Sequence, residues 1–242
     1  MVGYQTSQAL TAHEIAKLID HAVLRPEMNE AEVQVECELA RQYHAATACV
    51  RPYDVALAKR LLAGSDVLVS VVIGFPHGIQ TPAVKALEAR QAIDAGAVEL
   101  DMVLPIGRLR SGDWDYVEQD IANVLEVAHP LGALVKVIFE NCYLTSQEII
   151  RACQICDKLG ADFVKTSTGF GTGGAKLEDV RLMRRTCRPE TGIKAAGGIR
   201  TLDQLLQFMA AGATRIGTRS TKEIVEEARQ REQQGILVVP TV

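Results

Sequence analysis

The 242-residue chain carries 26 Lys and Arg against 30 Asp and Glu, a formal net charge of −4, and is 48% hydrophobic and 23% charged. These values exclude a disordered or collagen-like chain, and the acidic balance gives no support to a nucleic-acid-binding surface. No stretch approaches the roughly 20 apolar residues of a membrane helix.

A short helix is predicted over 10–18, ahead of the first strand. Two periodicities then alternate: strands at 22–24, 45–50, 66–74, 97–104, 133–139, 162–166, 192–196 and 213–217, and helices at 29–43, 52–62, 80–94, 114–128, 145–159, 176–186, 201–211 and 219–229. Several strands are continuous apolar runs, as expected of parallel strands covered on both faces. Pro82 after Thr81 suits a first helical turn, because that position needs no N–H donor. Thr145 and Glu148 have the spacing of a capping box, and Gly96, Gly160 and Gly212 stand where helices end. Eight strand–helix units with short connections and no linker predict one domain over 1–242. The expected fold is an α/β (β/α)8 TIM barrel with a short extra N-terminal helix, the open doubly wound sheet being the competitor. The apolar ending GILVVPTV suits a docked tail, a subunit contact or a loosely ordered end.

Polar residues within apolar strands are the informative ones, since barrel chemistry gathers at strand carboxyl ends. Asp101 lies in VELDMVL, Lys136 in LVKVIF, Lys165 in DFVKTSTG and Lys194 in GIKAAGG. An inward lysine loses hydration and needs an anion. One alone reads as a structural ion pair, whereas three with an aspartate on four strands converge on a common axis. A lysine nucleophile must be unprotonated, and a neighbouring cation with partial burial lowers its pKa from about 10.4. Independently, TSTGFGTGGA (166–175), AGGI (196–199) and GTRS (217–220) follow the last three strands, where barrels commonly bind phosphate through backbone N–H groups and helix N-termini.

With these motifs in place, the chain resembles the deoxyribose-phosphate aldolase family of class I, Schiff-base-forming aldolases. The likeness runs through IDHAVLRP (19–26), VSVVIGFPHG (69–78), ELDMVLPIGRLRSGDW (99–114), VKVIFE (135–140), FVKTSTGFGTGGA (163–175), IKAAGGIR (193–200) and RIGTRS (215–220). The resemblance implies that Lys165 forms the imine, that Lys194 lowers its pKa, and that Asp101 is the acid/base carboxylate acting with a water. It places Lys136 and Asp20 in support of that network, and Gly173, Gly174, Gly197, Gly198, Gly217 and Ser220 in the phosphate pocket. The implied reaction is reversible cleavage of 2-deoxy-D-ribose 5-phosphate to D-glyceraldehyde 3-phosphate and acetaldehyde, with no metal or organic cofactor. A homodimer and no nucleic-acid or membrane partner are expected. Arg219 is read either as added charge at the phosphate or as pointing away. Some relatives place a C-terminal tyrosine over the site, but no tyrosine follows Tyr143 here. The alternatives are another lysine-dependent aldolase or a thiolase on the same scaffold, and a catalytically silent sugar-phosphate-binding barrel.

Six scattered cysteines do not read as a disulfide scaffold. Cys153 and Cys156 form a CxxC within a helix and read as packing, not redox. Cys49 borders the expected pocket and is exposed to modification by an aldehyde product. His21 and His77 lie near strand ends and read as structural, and Trp114 as packing on the barrel exterior. The N-terminus lacks the basic start and apolar core of a signal peptide, so the cytoplasm is the expected location.

Overall fold

The computed structural model describes residues 9–240. Eight parallel strands close into a barrel in sequence order, with the last strand paired to the first. The strands are β1 (Ile19–Val23), β2 (Thr47–Val50), β3 (Leu68–Ile73), β4 (Glu99–Val103), β5 (Leu134–Ile138), β6 (Phe163–Lys165), β7 (Gly192–Ala196) and β8 (Arg215–Thr218). Closure decides against the open sheet, which would leave two unpaired edges. The helices are α1 (Ala12–Ala16), α2 (Glu30–Gln42), α3 (Val55–Leu61), α4 (Pro82–Ala95), α5 (Ile106–Arg110), α6 (Trp114–Ala128), α7 (Ser146–Leu159), α8 (Leu177–Thr186), α9 (Leu202–Ala210) and α10 (Thr221–Gln233). None is long and apolar enough to cross a membrane.

Two elements differ from the sequence reading. The first strand starts at Ile19 rather than residue 22, which brings Asp20 and His21 into the sheet. The helix α5 was not expected; it fills part of what the sequence presented as a loop between β4 and α6. The predicted capping box at Thr145 and Glu148 forms, and reciprocal boxes also start α1, α2 and α9. Gly96 and Gly160 take the left-handed conformation at the ends of α4 and α7, where a side chain would be strained.

Strand alternation separates two interiors. Val69, Val71 and Ile73 of β3, Leu100 and Met102 of β4, and Val135 and Val137 of β5 belong to the apolar layer between sheet and helices. Burying each such side chain stabilises the fold by roughly 1.5–3 kcal/mol, so this layer is the main source of stability. The intervening residues, including Thr47, Ser70, Glu99, Asp101, Lys136, Lys165, Lys194 and Arg215, form a polar cluster inside the barrel, beside a small apolar group of Leu24, Cys49 and Val72. Cys153 and Cys156 are fully buried in the outer layer, and burial raises both thiol pKa values further from reactivity (for Cys153 after the hydrogen bond to Cys187). Trp114 packs against the same layer, with the Arg151 guanidinium 5.9 Å from its ring.

The tail docks at the end of the barrel where strands begin. Leu10 N donates to Leu237 O at 3.0 Å, Ala9 and Val238 form an antiparallel bridge, and Leu237 is buried. Because α1 leads into the start of β1, residues 236–240 lie away from the strand carboxyl ends; residues 241 and 242 are outside the described range.

An ion pair is buried within the helix layer. Lys85 of α4 donates to Asp120 of α6 at 2.6 Å and to the carbonyl of Val103, at the end of β4, at 2.8 Å. Burial pushes Asp120 up to about 6 and Lys85 below the usual lysine value, both against their mutual attraction. Such a pair contributes little net stability, but removing one partner strands the other. Lys85→Met should therefore cost about 3–5 kcal/mol in denaturant unfolding, and Lys85→Met with Asp120→Leu should recover most of it. A double variant no more stable than the single one would refute this account.

Candidate active site

The barrel interior is organised around one carboxylate. Asp101 Oδ1 accepts from Lys136 Nζ at 2.8 Å, and its Oδ2 accepts from Lys165 at 2.7 Å and Lys194 at 2.6 Å. The strands allow this because Asp101 pairs in register with Lys136, and Lys165 with Lys194, on adjacent rungs. Lys194 also donates to Asp20 across the barrel. Lys136 sits 2.5 Å from Glu99 and 3.6 Å from Asp20. Arg215 joins Asp20 and Glu99 at 2.6 and 2.9 Å, and the Thr47 hydroxyl donates to Asp20 at 2.9 Å.

The cluster thus holds three carboxylates, Asp20, Glu99 and Asp101, against four bases, Lys136, Lys165, Lys194 and Arg215. With every group ionised it would carry one excess positive charge in a site almost without solvent, so losing one proton neutralises it. Of the three lysines, Lys165 alone is shifted toward its neutral form. Burial is the largest influence on Lys165 and lowers its pKa; Asp101 opposes this, Lys194 adds to it, and the net shift is downward. Burial also acts against the charged forms of Lys136 and Lys194, but Asp101 and Asp20 outweigh it and raise both. Burial likewise opposes ionisation of Asp101, yet the three lysines hold its carboxyl well below the usual range.

Above this cluster lies a cavity of about 420 Å³. Lys165, Lys194, Asp20 and Cys49 form its floor, and the loops after β6, β7 and β8 form much of its wall. Of the residues expected at a phosphate, Gly197, Gly198, Gly217 and Ser220 line it, and Ser220 begins α10 without a side-chain capping bond. Gly173 and Gly174 do not. A Cβ on Gly174 would lie 2.2 Å from the carbonyl oxygen of Gly197, so that glycine lets two loops pack together. Asp101 and Lys136 are likewise absent from the cavity wall and sit beneath the floor. Arg219 lines the cavity, with Arg25 and Arg200. His21 faces the helices, bonded to Thr221 and Glu36, and His77 is exposed outside the cavity. Cys49 borders the cavity as expected, with its thiol pKa raised chiefly by burial.

This arrangement can make a neutral amine and present it to a carbonyl beside an anion-binding wall. The model of the DeoC/LacD family of aldolases matches residues 14–236. The chain belongs to this family. It is 55% identical to the deoxyribose-phosphate aldolase of Thermococcus gammatolerans over 90% of this chain and 98% of that one. It is 47% identical to that of Rhodopirellula baltica over 90% and 91%. The tetrameric deoxyribose phosphate aldolase of Aeropyrum pernix superposes with a TM-score of 0.83 at 31% identity, over 90% of this chain and 92% of that one.

Several site residues of this aldolase escaped the sequence reading. Glu99 lies two residues before Asp101 and therefore on the same strand face; Arg215 is a charge inside the run ATRIG. The rule that selected the lysines selects both. Thr168 and Phe170, which line the cavity from the loop after β6, carry no such signal. Nor does Glu140, a buried residue after β5 held at φ 56°, ψ 61°, a left-handed conformation that costs a residue with a Cβ roughly 1–2 kcal/mol.

The charge balance separates the lysines by their effect on stability. Lys136→Met removes a cation whose charged form the fold favours, and should cost about 3–5 kcal/mol, with Lys194→Met in the same direction. Lys165→Met removes the one lysine of the three whose charged form burial disfavours on balance, and should cost less denaturant stability at neutral pH than Lys136→Met. A Lys165→Met loss as large as that of Lys136→Met would overturn this ranking.

Proposed function

We propose that this aldolase reversibly cleaves 2-deoxy-D-ribose 5-phosphate to D-glyceraldehyde 3-phosphate and acetaldehyde, with Lys165 as the imine-forming residue. The observation that carries the reading is the contrast within the cluster. Lys165 and Lys194 both reach the cavity, but only Lys165 is shifted toward the neutral amine. The names of the relatives supply the substrate, and the cavity chemistry is consistent with it.

Lys165 Nζ attacks C1 of the open-chain sugar. Asp101, ionised and 2.7 Å away, is placed to take the proton that the amine loses and to return one as the carbinolamine loses water. Lys194, held as an ammonium, keeps Lys165 from being the preferred proton site. In the protonated imine the nitrogen draws electrons from the C2–C3 bond as the C3 hydroxyl loses its proton, through water to Asp101. Cleavage releases glyceraldehyde 3-phosphate and leaves an enamine on Lys165; protonation at carbon and hydrolysis release acetaldehyde. Lys136 and Asp20 act by fixing Asp101 and Lys194. The phosphate is assigned to Gly197, Gly198, Gly217 and Ser220, with the N-terminus of α10 and the Arg25, Arg200 and Arg219 side chains adding positive potential. A homodimer is the simplest symmetric assembly for this chain, and sedimentation would distinguish it from the tetramer reported for the Aeropyrum pernix enzyme.

Incubation with 2-deoxy-D-ribose 5-phosphate followed by borohydride should leave a reduced two-carbon adduct of about 28 Da on Lys165 by peptide mass spectrometry. An intact-sugar adduct would show imine formation without cleavage and point to another aldol substrate. No adduct on folded protein, beside a control aldolase that traps, would favour the silent binding barrel.

The pH dependence has a definite sign. Because the amine must be neutral, kcat/KM should fall as pH drops through the depressed pKa of Lys165. Lys194→Met removes a neighbouring cation, so in its residual activity that acid limb should move to higher pH; an unmoved limb would separate Lys194 from amine activation.

A further inference from the structure

Glu140 is spent on no step of the reaction above, yet it is the most constrained residue at the rim. Its carboxylate is buried in the loop after β5 and accepts from the backbone N–H of Thr168 at 3.2 Å and from the Thr168 hydroxyl. The Thr168 hydroxyl oxygen in turn accepts from the N–H of Phe170 at 2.9 Å. Phe170 lines the cavity and meets Phe75, from the loop after β3, edge to face at 5.4 Å between ring centroids. One chain of contacts therefore runs from the β5 loop through the β6 loop to the β3 loop, across the rim above Lys165.

The fit around Glu140 is close. A Cβ on Gly171 would lie 2.9 Å from the Glu140 carboxyl carbon and 3.0 Å from Cys142 Sγ. The loop thus folds directly onto the carboxylate. Two features are spent at the same place: a left-handed backbone at a residue with a side chain, and a buried acid hydrogen-bonded to Thr168, with the charges of Lys165 and His77 acting on it more weakly. Helix capping or core packing needs neither.

The geometry points to Glu140 as a positioning residue for the substrate, anchoring Thr168 so that Phe170 closes against Phe75 over the part of the cavity filled by the sugar chain beyond the imine. This rests on Lys165 being the imine lysine. Acetaldehyde alone needs only the lysine and the Asp101–water relay to form its enamine, whereas C–C cleavage needs the longer substrate held under the loop. Glu140 therefore acts on the second process and not on the first.

The test compares wild type with Glu140→Gly, which removes the carboxylate and suits the left-handed backbone, and with Glu140→Gln, which keeps an acceptor. Each is assayed for cleavage of 2-deoxy-D-ribose 5-phosphate and for deuterium exchange into the methyl group of acetaldehyde in D2O. Glu140→Gly should cleave about tenfold more slowly while exchange stays within about twofold, and Glu140→Gln should stay within about threefold for both. Gly171→Ala, which presses on the carboxylate from the other side, should reproduce the split. Glu140→Gly combined with Phe170→Ala should be no slower than the slower single variant, because both break one chain of contacts. Unchanged cleavage in Glu140→Gly, a parallel fall of cleavage and exchange, or losses that multiply in the double variant would each overturn the assignment. Wild-type protein that neither exchanges acetaldehyde nor traps on Lys165 would instead sink the parent aldolase reading.

Discussion

The Asp101 carboxylate accepts from three lysines at 2.6–2.8 Å in a site closed to bulk water, and much of the structure follows from keeping that arrangement neutral. Charges this deep cost several kcal/mol each unless they are compensated and hydrogen-bonded. Asp20 and Glu99 supply the compensation, and Arg215 ties them together from the far side of the barrel. The inner core is therefore not where this fold gains its stability. That comes from the apolar layer between sheet and helices, which is continuous around the barrel. A closed sheet suits the division because its alternation sends every second side chain to each interior.

What the sequence could reveal tracks this division. A charge inside an apolar strand is conspicuous, so Asp101, Lys136, Lys165 and Lys194 were legible, and Glu99 and Arg215 were equally legible by face. The first strand was misplaced for the same reason in reverse. In IDHAV, Asp20 faces the inner cluster and His21 faces α2 and α10, so a strand buried on both faces shows two adjacent polar residues and resembles a loop. Glycines were harder to read. Gly198 borders the cavity and Gly174 meets the backbone of Gly197, but both needs select the same residue. The rim contacts of Glu140, Thr168, Phe170 and Phe75 join three loops, and no local periodicity encodes which loop meets which.

The two ends of the barrel have different duties. At the end where strands begin, α1, α10 and residues 236–240 pack together through Leu10, Leu237 and a bond from Ala12 N to Glu232 at 2.9 Å. At the other end, glycine-rich loops and three arginines surround the cavity. The tail thus supports the closed end, and proton transfer at the mouth falls, on the proposed reading, to Asp101, the lysines and water.

That reading also gives the downward shift of Lys165 a second use. A lysine imine is useful as an electron sink only when it is protonated, and forming it would fix a positive charge at position 165, where burial disfavours one. On that reading the substrate would bring a phosphate dianion to the same cavity, so that new negative charge would accompany the added cation. Asp101 is not free to neutralise the iminium alone, because Lys136 and Lys194 share its oxygens. The positive charge consequently remains available to draw electrons from the breaking C–C bond, which a dedicated carboxylate partner would oppose. On that reading, sharing one acid among three lysines does two things: it limits how far Asp101 raises the pKa of Lys165 before the substrate arrives, and it leaves the iminium electrophilic after the imine has formed.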